Sequence, residues 1–191
     1  MKSQKTIFIF IVLAAAVMLF TAATQIQQPQ LRQPYSIVLR ETNFYPDGHS
    51  VLVYTESKWT AVTGDWYSVK VFATGQIEKQ FGRPGSGVFM YNPRRRQVDY
   101  IRAYPANFPN PKINLKSPEY VSTGAILGYT AYLLHSQANG MSVDTWLAQD
   151  LNGDIIKQVI TKNGVIMQLD PVTVDLLGPG DPVPPPSWSI P

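Results

Sequence analysis

The sequence predicts a mainly β fold, an antiparallel meander with a proline-rich crossover and little helix. Three observations predict it. Four turn pairs, Asp47-Gly48, Asn139-Gly140, Asn152-Gly153 and Asn163-Gly164, are of the type that closes two-residue hairpins, where both central residues need positive φ. The segments beside them alternate apolar and polar residues, as a strand with one buried face does. No stretch after the first 23 residues keeps a helical period for more than two turns.

The N-terminus comes first. Lys2 and Lys5 precede an uncharged apolar run from Ile7 to Phe20, and Thr21-Ala22-Ala23 follow. That is the three-part layout of a secretory signal, shorter than the roughly 20 residues that span a bilayer. Residues 1–23 are therefore expected to be a signal peptide, or an N-terminal anchor if uncleaved, which would be the chain's only membrane contact. The protein is expected to be exported, to the periplasm or another extracytoplasmic space. Loss of Lys2 and Lys5 leaves 14 basic against 13 acidic residues, so the basic balance belongs mostly to the leader. The whole chain contains no cysteine, hence no lipid-attachment thiol and no disulfide. Stability must come from burial, and roughly 170 residues suffice for one core.

Residues 24–34 read as a short linker and 35–191 as one antiparallel β domain. Tyr35, Ile37 and Leu39 alternate with Ser36 and Arg40, and in "WYSVKVF" Tyr67, Val69 and Val71 alternate with Ser68 and Lys70. Thr63-Gly64-Asp65, Thr74-Gly75-Gln76 and the loop "GRPGSG" (82 to 87) add turns, giving about six strands from Tyr35 to Tyr104. Pro105, Pro109, Pro111 and Pro118 then exclude helix or central strand, which marks a crossover between two antiparallel halves. In Ser122 to Leu134, Gly124, Gly128, Tyr129, Thr130 and Tyr132 favour extended chain over helix. Val165, Met167 and Leu169 alternate with Gln168 and Asp170, and the tail "GPGDPVPPPSWSIP" is expected to be extended, docked by Trp188 and Ile190.

Candidate chemical sites are few. Asp150, Asn152 and Asp154 alternate as calcium ligands do, but position six from Asp150 is Ile155 and position twelve is Thr161, so the loop glycine and bidentate glutamate are missing. The stretch reads as a hairpin corner. "GRPGSG" lacks the Gly-Lys-Ser/Thr ending of a phosphate cradle. His49 and His135 are the only imidazole bases, neither sits in a nucleophile elbow, and two histidines without cysteine make a poor zinc site. No catalytic residue, metal or cofactor is expected. Arg94-Arg95-Arg96 after Asn92-Pro93 reads as a solvated turn rather than a nucleic-acid footprint, though it could contact a protein partner.

From Gly124 to Pro191 the order is distinctive: a Gly-Tyr strand, a strand with Trp146, Ala148 and Asp150, a short turn, a strand ending in Lys162-Asn163-Gly164, and an aromatic residue with Ile-Pro at the close. This pattern resembles bacterial envelope proteins of the lipoprotein-carrier-like, half-barrel superfamily. The resemblance implies a highly curved antiparallel sheet with one apolar concave face. It also implies a non-enzymatic envelope protein that binds a lipid, a lipidated protein or another apolar ligand there. Ile37, Leu39, Val69, Val71, Val165, Met167 and Leu169 are the candidate lining residues. The competing expectation is a structural or protein-interaction module with a sealed core, whose partner in the envelope meets the sheet edges or Arg94, Arg95 and Arg96.

Overall fold

Runs rich in β-branched and aromatic residues, punctuated by residues that tolerate positive φ, leave this chain little choice but strands. The computed structural model describes residues 33–104 and 114–178. They form β1 (Tyr35–Phe44), β2 (Ser50–Thr60), β3 (Trp66–Phe72), β4 (Ile77–Arg83), β5 (Gly87–Asn92), β6 (Gln97–Arg102), β7 (Tyr120–Ile126), β8 (Tyr129–Ala138), β9 (Met141–Ala148), β10 (Asp154–Lys162) and β11 (Val165–Leu176). All join one antiparallel sheet in the order β6-β5-β4-β3-β2-β1-β11-β10-β9-β8-β7. Two meanders thus meet where the first strand pairs with the last. The edges are β6 and β7, neighbours in sequence, so the chain between them passes from one edge of the sheet to the other. The six strands before Tyr104 agree with this arrangement, and Ser122 to Leu134 is extended rather than helical, but as parts of two strands joined by a turn at Leu127-Gly128 rather than as one strand. Pro118 lies in the turn before β7, whereas Pro105, Pro109 and Pro111, the expected signal segment and the expected docking of Trp188 and Ile190 fall outside the described residues.

The turns follow the side-chain rule with two corrections. Asn139-Gly140 and Asn163-Gly164 close two-residue hairpins with φ of 51° and 72°, and of 50° and 79°. Asn152-Gly153 also has paired positive φ, 58° and 75°, but a 3-10 turn over Gln149–Leu151 precedes it, so five residues rather than two join β9 to β10. Leu151 is the reason: fully buried, it pulls the corner inward. At Asp47-Gly48 only the glycine has positive φ, and the hydrogen bond from Tyr45 N–H to the His49 carbonyl closes a longer loop. Leu127-Gly128, φ 50° and 85°, is a further tight turn that its leucine conceals.

The sheet is open and curved, a half-barrel rather than a closed one. Five register shifts interrupt the ladder: at Val38/Leu39 opposite β11, at Glu41/Thr42 opposite β2, at Ile155/Lys157 opposite β9, at Val88/Phe89 opposite β6 and at Tyr120/Ser122 opposite β8; such bulges bend and twist a strand locally. β10 pairs with β11 only from Gln158 to Lys162, so its first residues leave β11 and fold toward β1. The core sits under that fold. Tyr35, Ile37 and Leu39 of β1 cluster with Ala131, Ala148, Leu151 and Ile156, and Trp146, Leu169 and Val174 pack around them.

Candidate functional site

Cross-strand partners share a face, so the register sorts the side chains. Ile37 and Leu39 lie opposite Lys58 and Glu56 on β2, which lie opposite Ser68 and Lys70 on β3. Lys58 on this face reaches the folded-over Asp154, so this is the inner face. On its other side Leu39 pairs with Pro171, and Glu41 and Asn43 pair with Leu169 and Met167. Val69 and Val71 pair instead with Ser57 and Thr55, opposite Val38 and Arg40, and so face outward. The structure brings five of the seven candidate lining residues to one face and leaves Val69 and Val71 on the other. Val71 is 47% exposed, while Ser68, which the alternation assigns to the wet side, is buried at 1%. β3 is buried on both faces at Tyr67 and Ser68, so its alternation does not report burial.

The inner face is unevenly buried. At one end Ile37 and Leu39 are core, covered by Leu151 and Ile156. Toward the other end, Val143 of β9, Ile160 of β10 and Met167 of β11 form a cross-strand row that ends on Asn43 of β1, all half-buried. Val165 and Leu169 flank that row on β11, both half-buried. Ile160 and Val143 escaped the sequence reading because β9 and β10 lack strict alternation. Asn43 Oδ1 is buried with no hydrogen-bond partner, an acceptor that costs free energy unless something donates to it.

Across β1 the inner face turns polar. Lys58 pairs with Asp154 at 2.6 Å and lies over the Trp66 ring, 5.3 Å from its centroid. Lys70 lies 3.7 Å from Glu56 and 4.6 Å over the Tyr54 ring. Burial, then the Glu41 hydrogen bond, pushes the Tyr54 phenol well above its ordinary value. The Tyr35 hydroxyl lies against the Asp154 carboxylate and the Leu151 carbonyl; burial first and Asp154 second raise its pKa. Tyr104 is raised for the same two reasons, and its hydroxyl donates to the Gly64 carbonyl at 3.3 Å. Trp66 lies flush on Gly82, where an added Cβ would stand 2.2 Å from the indole nitrogen.

The outer face carries an aromatic ladder, Trp59–Tyr67–Phe81–Phe89–Tyr100, one residue from each of β2 to β6. Phe81 and Phe89 stack at 4.8 Å, and Trp59 and Tyr67 at 5.7 Å. These aromatics stiffen the sheet.

The remaining candidates are dispersed. Arg94, Arg95 and Arg96 are exposed in the β5–β6 turn, where Asn92 Oδ1 accepts the Arg94 and Arg95 amides at 3.2 and 3.3 Å. His135 pairs across strands with Asp144 at 2.7 Å, and His49 stacks on Tyr45 at 4.3 Å. Asp150 is exposed while Asp154 points to Tyr35 and Lys58, and among the described residues no three acidic or histidine side chains converge on a metal position.

No protein-family model and no curated protein matches the chain. Among solved structures it is similar to PNGF-II, at 15% identity and a TM-score of 0.38, over 78% of this chain but 28% of that one. The chain thus spans less than a third of PNGF-II. It is also similar to a LolA superfamily protein from Nitrosomonas europaea, at 13% identity and a TM-score of 0.41, over 85% of this chain and 94% of that one. A third similar structure is the Mycobacterium tuberculosis lipoprotein LppX, at 12% identity and a TM-score of 0.37, over 89% and 98%.

Proposed function

We propose that this is an exported, non-enzymatic binding protein of the cell envelope whose inner sheet face takes an amphiphile, a lipid or the lipid-bearing segment of a protein. One observation carries the reading: the inner face divides into a half-buried apolar row and a bank of paired charges. Val143, Ile160 and Met167, with Val165 and Leu169, offer an acyl chain a dry surface, and each buried methylene gains about 0.8 kcal/mol. Glu56 and Lys70 lie on the same face beyond β1 and suit a polar headgroup. Among the described residues no helix is long and apolar enough to cross a membrane. Export itself rests on the leader between Lys2 and Ala23.

The test is saturable uptake of a fluorescent fatty-acid probe by delipidated protein, compared between wild type and Met167→Asp. Uptake lost in the variant supports the reading. No saturable uptake by the wild type overturns it in favour of a sealed interaction module. The burial of Ile37 and Leu39 at 1% and 5% is the observation that favours that second reading.

A further inference from the structure

An open sheet must manage two edges, and this one treats them differently. β6 carries Asp99 and Arg102 and follows Arg94-Arg95-Arg96. β7 reads Tyr-Val-Ser-Thr-Gly-Ala-Ile, with no charge and no proline, and every residue from Val121 to Ala125 is exposed. The backbone phase follows from the hairpin. The two-residue turn at Leu127-Gly128 makes Ile126 and Tyr129 a hydrogen-bonded pair, so Ile126, Gly124 and Ser122 direct their N–H and C=O groups to β8. Thr123 and Ala125 therefore direct theirs away from the sheet.

We propose that β7 pairs antiparallel with β7 of a second copy of this chain, about a two-fold axis at Gly124. That register sets Thr123 against Ala125 of the other copy, and the reverse, so the outward groups of both residues are satisfied by about four hydrogen bonds. Ser122 then faces Ile126, and no like charges meet anywhere along the seven residues. Gly124 faces itself at the closest approach, and a Cβ there would have nothing within 4 Å. Two other segments of the chain are, by composition, poor substitutes for a pairing strand. Residues 105–113 contain three prolines and 179–191 contain six, each lacking the amide that a ladder requires. The strand is thus self-complementary, which is the condition for a closed two-fold interface.

Protein purified from its own cells tests this by sedimentation. Wild type is expected to be a dimer. Gly124→Lys and Gly124→Glu, each of which sets like charges face to face, are expected to be monomers that recover a dimer when mixed. Both residues suit a strand better than glycine, so a folded variant is expected, checked by circular dichroism. Because the chain has no cysteine, Gly124→Cys gives an independent reading: oxidation should yield a covalent dimer, and Ser136→Cys on the exposed face of β8 should not. A monomeric wild type, a dimer that survives both charge variants, or a Gly124→Cys protein cross-linked to a different chain overturns the proposal.

Discussion

Lys58 on β2 and Asp154 on β10 form a 2.6 Å ion pair although β1 and β11 lie between their strands. Three strand steps would separate them by roughly 14 Å in a flat sheet, so the pair exists only because the sheet folds inward there. With side chains 19% and 11% exposed, and with Tyr35 on the same carboxylate, the pair fastens the curled corner that covers the core.

Asp154→Asn should therefore leave Lys58 part-buried without its counter-charge and cost about 2 kcal/mol by urea denaturation. The double change Lys58→Met with Asp154→Leu should cost less than the sum of the two single changes. Additive single effects would show that the two side chains do not act as a pair.

Gly82→Ala should drive the Trp66 ring off its seat, costing about 1–3 kcal/mol and changing tryptophan fluorescence. Combining it with Trp66→Leu should recover part of the loss. An unchanged spectrum would contradict the close approach of 2.2 Å.

Alkaline pH should unfold the protein through its tyrosines. Tyr35, Tyr54 and Tyr104 all have phenol pKa values raised above the ordinary 10, mainly by burial. The unfolded chain ionises these groups near pH 10 while the folded chain keeps them neutral. The stability they contribute is complete below that pH and is lost as pH rises beyond it. The urea midpoint should fall above pH 10, less steeply in Tyr35→Phe. A profile that stays flat up to pH 11 would contradict the burial of these phenols.

The register makes a sharp distinction between faces. Met167→Asp should abolish probe uptake, while Val71→Asp, on the outer face and already half exposed, should leave it unchanged. Equal effects of the two changes would mean that uptake does not follow the inner face.

The strands and most turns were legible because turn chemistry is local: Asn139-Gly140 and Asn163-Gly164 announce positive φ by themselves. Leu127-Gly128 was not, since a leucine at positive φ is imposed by the strands it joins. The inner face was half legible. Met167 and Leu169 lie on a strand whose apolar–polar alternation agrees with the register that sets them against Asn43 and Glu41, whereas β3 is covered on both sides at Tyr67 and Ser68, so alternation there does not reveal which side faces in. The Lys58–Asp154 pair, 96 residues apart in sequence, depends on bulges that no local pattern announces.

The most direct test of amphiphile binding is native mass spectrometry of the protein purified from its own envelope without delipidation, followed by solvent extraction and analysis of what is released. The account predicts a lipid or lipid-bearing peptide held near one per chain and lost in Met167→Asp. An unliganded wild type that also takes up no added lipid would contradict it.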